Sequence, residues 1–277
     1  MTTLGFSRDL FPGGRWMVCR PRDYDVRYSI NPWMNTAVVP DKALAAAQWG
    51  NLHHHLLRLG AWLEYVDHAD GQPDMVFTAN AGLVRGKDVV LSRFRHPERQ
   101  GEERHFRAWF EANGFTVHTT RGSFEGEGDA LFCGNRLFCG YGFRSEVEAH
   151  KEAAKILGVQ DLVPVQLQDP RFYHLDTCFC PLNEAVALVY PGAFSSQDLA
   201  TLGRCMELIR VPEHDALHFV CNAVVLGKNV VLPAGCPDTY GMLAQRGFTA
   251  YPVPLGEFIK AGGAAKCLSL KLEQAGG

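Results

Sequence analysis

The sequence predicts an α/β ring of five small modules, a pseudo-fivefold propeller of little sheets with helices outside, and three observations carry that expectation. One apolar hairpin pattern recurs four times, beginning at Asn80 (NAGLVRGKDVVLS), Asp129 (DALFCGNRLFCG), Asp176 (DTCFCPLNEAVALVY) and Asn222 (NAVVLGKNVVLP). These starts lie 49, 47 and 46 residues apart, and a further 45 residues reach Cys267, which opens the apolar stretch CLSLKL. Helical periodicity fills the intervals. A unit of this size cannot bury its apolar face alone, so neighbours stack, and closing the stack into a ring removes the need for capped ends. A β-solenoid is the alternative arrangement of such repeats.

Apolar residues recur at helical spacing over 41–60, 102–113, 145–157, 195–208 and 238–246. Asp41 and Asp238 stand where an N-cap carboxylate accepts the first free amides, and Gly60 and Gly114 follow helix ends where a left-handed residue is needed. The hairpins turn at GKD, GN, NE and GKN, the Gly and Asn chemistry of short β-loops. Each module is therefore a hairpin, a helix and a third strand, and residues 1–277 read as one domain.

Composition narrows the function classes. With 47% hydrophobic and 21% charged residues the chain is an ordinary globular sequence able to bury a sizeable core. A net charge of -3 and the lack of any basic run argue against a nucleic-acid partner. No stretch of 18 apolar residues occurs, and MTTLGFSRDLF lacks the basic and apolar segments of a leader, so the expectation is a cytoplasmic protein with no membrane partner. Nine scattered cysteines, an odd number, read as free thiols in a reducing compartment. Homo-oligomerisation is left open.

A ring brings the first residue of each hairpin toward a common axis, where the modules meet around a polar pocket. Asn80, Asp129, Asp176, Asn222 and Cys267 are the residues so delivered. Cys267 is expected at a strand start, with Lys266 adding positive charge that favours the thiolate. An isolated cysteine there is usually just a buried apolar residue; the shared phase singles this one out. His174 precedes Asp176 by two, so an extended strand would put both on one face and give an imidazole with a carboxylate beside it, unless the histidine is simply a satisfied core residue.

In FEGEGDALF the same alternation would place Glu125, Glu127 and Asp129 on one face, a costly arrangement unless a metal or a guanidinium sits among them or the turn is solvated. QPDMVFTANAG offers Asp74 to grip a guanidinium and Phe77 to pack on its plane. Arg93, Arg95, Arg99 and Arg144 are candidates for holding a carboxylate in bidentate fashion. EHDALH and the triple histidine 53–55 do not match metal-ligand spacing, and CxxC, GxGxxG and GxxxxGK[ST] motifs are missing, which argues against metal, dinucleotide and P-loop cofactors.

Taken in order, PDMVFTANAG, FEGEGDALF, FRSEVEAH, YHLDTCFCPL and AGGAAKCLSL resemble the guanidino-group-modifying enzymes: arginine deiminases, amidinotransferases, dimethylarginine dimethylaminohydrolases and arginine dihydrolases. Their fold is the five-module α/β propeller called a pentein, and the likeness covers essentially the whole chain. It implies Cys267 as nucleophile, His174 as acid/base and Glu125 as the carboxylate of a Glu-Gly-Gly-Asp type motif. That motif is one residue longer here, so Glu127 competes for the role; the Phe-Glu-Gly context favours Glu125. By the same likeness Asp74 and Phe77 contact the guanidinium, Arg99 and Arg144 bind the α-carboxylate, Asp176 stands beside the histidine, and Asp129 is a further carboxylate on the substrate side.

Asn80 departs from the acidic residue usual in deiminases and dimethylaminohydrolases and looks like the dihydrolases, as do INPWMN, with Asn31 as a substrate contact, and LSRFRHPERQGE. The implied activity is cofactor-free hydrolysis of arginine to ornithine, carbon dioxide and two ammonia molecules through a Cys amidino-thioether. A single round on arginine or methylated arginine, ending at citrulline, is the alternative. A rival of another class is a noncatalytic binding protein, as the ribosome anti-association factors of this fold are.

Overall fold

The computed structural model describes residues 10–272. Strand β1 (Arg15–Cys19) runs parallel to β2 (Trp62–Val66), with helix α1 (Lys42–Arg58) crossing between them. The next module begins with the antiparallel hairpin β3 (Gly82–Arg85) and β4 (Asp88–Leu91). It passes a short α2 (Pro97–Gln100) and α3 (Glu103–Ala112), then adds β5 (Thr116–His118) parallel to β4. The plan repeats in β6 (Ala130–Cys133), β7 (Arg136–Tyr141), α4 (Val147–Ile156) and β8 (Asp161–Gln166). It repeats again in β9 (Phe179–Pro181), β10 (Val186–Val189), α5 (Ser196–Cys205) and β11 (Glu207–Arg210). After a short α6 (Glu213–Ala216) come β12 (Val224–Leu226), β13 (Asn229–Pro233), α7 (Pro237–Ala244) and β14 (Thr249–Val253). A last short helix α8 (Gly256–Ile259) leads to β15 (Leu270–Lys271), which pairs antiparallel with β1. The fifth sheet, β15–β1–β2, thus joins the two ends of the described chain and closes the ring rather than extending a solenoid.

The outer helices bury the stripe their sequence spacing defines: Ala45, Trp49, Leu52 and Leu56 on α1, and Phe106 and Phe110 on α3. Each large side chain so buried stabilises the fold by about 1.5–3 kcal/mol. Asp41 caps α1, its carboxylate accepting from Leu44 N at 2.9 Å, and Gly60 and Gly114 take φ of 84° and 79° beyond the helices they follow. Asp238 is not a cap. Pro237 opens α7 and needs no amide partner, so Asp238 falls in the first turn, 3.1 Å from His214. No helix among the described residues is long and apolar enough to cross a membrane.

The residues that start each repeat lie in tight turns just before the strands, and there each module is tied to the next. Ala79 N donates to Cys267 O (3.1 Å), Asn80 Nδ2 to Glu125 O (3.0 Å), Leu175 N to Asp129 Oδ1 (3.1 Å), Asn222 Nδ2 to Asp176 O (3.2 Å) and Cys267 N to Asn222 Oδ1 (3.0 Å). Five links close a circle around the axis. At Asn80, Asp129 and Asn222 this explains the small polar residue: its side chain satisfies backbone groups of a neighbouring module that no sheet ladder reaches.

Candidate active site

Cys267 sits in the turn formed by residues 265–268 and is 2% exposed. The strand expected to begin there starts only at Leu270, because the turn backbone is claimed by Asn222, whose Oδ1 accepts from both Ala264 N and Cys267 N at 3.0 Å. Asn222 Nδ2 donates to the sulfur at 3.0 Å, and the thiol donates to Asp176 Oδ2 at 3.3 Å. Burial first, then the charge of Asp176, pushes the thiol well above its ordinary value. Burial likewise raises Asp176 to about 7, against the pull of Lys266. The expectation that Lys266 promotes the thiolate fails in this geometry, since its Nζ turns away to Glu127 Oε2 at 2.7 Å. The resting thiol is neutral.

The three carboxylates of FEGEGDALF do not share a face, because Gly126–Gly128 winds into a 3-10 turn instead of a strand. Glu125 Oε2 meets His174 Nε2 at 2.8 Å and Arg144 Nη1 at 3.0 Å. Burial opposes its charge, but Arg144 and His174 outweigh that and hold the carboxyl far below the usual range. Glu127 pairs with Lys266 on the other side of the ring, and Asp129 accepts from Ser145 N and Leu175 N, fully buried. His174 and Asp176 diverge for the same reason: Leu175–Thr177 is a 3-10 turn, so the imidazole's carboxylate partner is Glu125 while Asp176 serves the thiol. The other ring nitrogen, His174 Nδ1, is buried without a partner.

A front cavity unites Asn31, Asp74, Phe77, Asn80, Arg99, Arg144 and Cys267, with Tyr173 also in its wall. Asp74 is 1% exposed; Tyr28 donates its hydroxyl to Oδ2 at 2.9 Å, and Oδ1 has no partner. Burial pushes the Asp74 carboxyl up, with Arg99 and Tyr28 opposing, so a cation placed there would relieve a real electrostatic cost. Arg99 is locked by a two-pronged bond to Glu102, Nε to Oε1 at 2.8 Å and Nη2 to Oε2 at 2.9 Å, and its Nη1 reaches Asn80 Oδ1 at 2.8 Å. Arg144 lies over the Tyr173 ring at 4.5 Å and donates to Ile30 O at 3.0 Å. Arg93 and Arg95 are exposed and outside the cavity. Gly263 makes room for this assembly, since a Cβ there would come within 2.5 Å of Phe77.

Glu125, Asp129, His174 and Asp176 do not line the front cavity, although Glu125 holds Arg144, Asp176 touches the thiol and His174 packs behind Tyr173 with ring centroids 4.8 Å apart. Sequence reasoning missed Tyr28, Glu102 and Tyr173. Glu102 carried a faint signal, three residues after Arg99 where a short helix sets a carboxylate beside the guanidinium. Tyr28 carried none, being in a loop without periodicity. Among the described residues, Asp23, His68 and Asp70 form a partly exposed group that could hold a metal ion, and it includes neither EHDALH nor the triple histidine.

Residues 33–272 match the family model described as N,N dimethylarginine dimethylhydrolase, eukaryotic. The chain belongs to this family of pentein-fold enzymes, hydrolases of C–N bonds in linear amidines. Among its relatives, the bifunctional arginine dihydrolase/ornithine cyclodeaminase of Synechocystis is 47% identical over 272 residues, which is 94% of this chain and 38% of that protein's length. The dimethylarginine dimethylaminohydrolase of Mycobacterium tuberculosis is 41% identical over 259 residues, covering 93% of this chain and 85% of that one. The crystal structure of the N-terminal domain of a cyanobacterial arginine dihydrolase, a cysteine-to-serine variant bound to substrate, superposes with a TM-score of 0.91 at 46% identity, covering 94% of this chain and 98% of that one.

Proposed function

We propose that this chain hydrolyses the guanidinium group of L-arginine twice, giving ornithine, carbon dioxide and two ammonia molecules. The observation that carries the reading is the unpartnered Asp74 Oδ1, buried in one cavity with Phe77, Asn80 and the neutral thiol of Cys267: a receptor for a planar cation with a nucleophile in its wall. Arg99 and Arg144, lining the same cavity, supply a landing place for an α-carboxylate. The dihydrolase relative, and solved relatives with the cysteine replaced and substrate or arginine bound, support the same choice.

Cys267 attacks the guanidinium carbon, forming an S–C bond. One C–N bond breaks, and the departing nitrogen leaves as ammonia with the thiol proton, passed by His174, whose free Nδ1 is available while Glu125 holds Nε2. The cation lowers the cost of the thiolate, which burial otherwise opposes. Water activated by His174 then cleaves the S–C bond, giving the ureido compound, the thiol and a proton that ammonia takes. In the second round Cys267 displaces the remaining terminal amino group as ammonia, and water releases a carbamate that falls apart to ornithine and carbon dioxide. Asn80 suits retention of the neutral ureido group because an amide can donate or accept, and its orientation is fixed between Arg99 and the carbonyl of Glu125.

Incubation with L-arginine and, separately, asymmetric dimethylarginine, followed by mass spectrometry, tests this. Ornithine with two ammonia per arginine is expected. Citrulline as sole product of arginine would remove the second round, and dimethylamine from the methylated substrate would favour the activity named for the mycobacterial relative.

A further inference from the structure

A second cavity lies behind the nucleophile. It measures about 90 Å³, against about 10 Å³ for the front cavity. A water needs roughly 10–15 Å³ by this measure, so the rear cavity has room for several waters and the front for about one at most. Asp176 adjoins both the nucleophile and the rear cavity. Asp176 Oδ2 contacts the Cys267 thiol, while Asp176 itself also lines the rear cavity, and its Oδ1, in a side chain 1% exposed, has no hydrogen-bond partner. A buried carboxylate oxygen left unpaired is costly, and a small hydrogen-bond donor in the chamber would satisfy it.

The rest of the wall limits what that donor is. Leu131, Ala223 and Val225 give apolar surface, and Lys266 and Lys271 stand half-buried in the lining. Lys266 is paired with Glu127 in the same wall, and this mixed polar and apolar lining suits water, ammonia and carbon dioxide. A two-round reaction needs such a place. With the amino acid seated between Asp74 and the arginines, each round must still deliver one water to the carbon and remove one ammonia, without releasing a neutral intermediate.

We propose that the chamber behind Asp176 is a rear port for water and small neutral products, used while the amino-acid moiety stays in the front cavity; the proposal rests on the hydrolytic reading above. Val225→Trp, on a half-buried lining residue, and Ala223→Leu, deeper, fill it without touching the front cavity. With arginine as probe, kcat is expected to fall roughly tenfold with kcat/KM held within about twofold, since attack is spared and water supply becomes limiting. Intact-mass spectrometry in the steady state should show the Cys267 adduct accumulating in both variants. Wild-type kcat with no adduct in either folded variant overturns the port. So does a loss in kcat/KM with slowed alkylation of Cys267, which would show only a disturbed thiol. The wild-type products decide separately whether there are one or two rounds, because adduct persistence reports on the port in either case.

Discussion

The two sides that back the front cavity are built on opposite electrostatics. On one, charge meets charge: Arg99 with Glu102, Arg144 with Glu125, Glu125 with His174. On the other, Cys267, Asp176 and Asn222 have no cation in contact, Lys266 being held by Glu127, and burial keeps the thiol protonated. Buried ion pairs add little net stability once desolvation is counted, so the first wall is better understood as fixed geometry. The second is electrostatically incomplete. On the proposed function, a guanidinium at Asp74 would complete it and make reactivity conditional on the right substrate.

Changes on the two walls should therefore fail differently. The largest effect belongs to the thiol: Cys267→Ser should lower turnover by on the order of 10³ or more, yet leave arginine binding nearly intact because the charged wall is untouched. Calorimetry with arginine alongside steady-state assays checks this. Loss of binding equal to the loss of turnover would mean the walls are not separable. Next comes a close contact within the charged wall. A Cβ at Gly128 would lie 2.4 Å from Asn80 Nδ2 and 3.1 Å from His174 Nδ1. Gly128→Ala should cost roughly 10²-fold in kcat, as an ångström-scale displacement of a reacting group does, with alkylation of Cys267 unchanged.

The fold was legible because its signal is periodic. Hairpin starts repeat in phase, and the extrapolation to Cys267 finds the module that β15 and β1 complete across the ring. Which residues gather near the axis was partly legible, their directions much less so. Alternation assumed extended backbone, but Gly126–Gly128 and Leu175–Thr177 are single 3-10 turns, and one turn of that kind sends Glu125 and Glu127 to opposite sides of the ring. Partners such as Tyr28 for Asp74 come from segments distant in sequence, with no periodicity to announce them. Local pattern places a residue near the axis; only the closed ring decides which neighbour it meets.

The smallest effect is the most discriminating about the thiol wall. After burial, the charge of Asp176 is the main influence raising the Cys267 thiol, and Asp176 itself loses its proton near 7. In Asp176→Asn the carboxylate charge is gone while an amide keeps much of the shape, so the thiol should ionise at lower pH. Alkylation of Cys267 by iodoacetamide, followed on its own peptide between pH 6 and 9, should then match wild type near pH 6, where Asp176 is protonated, and run several-fold faster above pH 7, where the wild-type carboxylate is charged. Glu125→Gln, on the charged wall, should leave that profile in place while lowering kcat, since its partners are His174 and Arg144 rather than the thiol. An unmoved or upward-shifted profile in Asp176→Asn would show that burial alone sets the thiol, and the contrast between the two walls would then rest on solvation instead of charge.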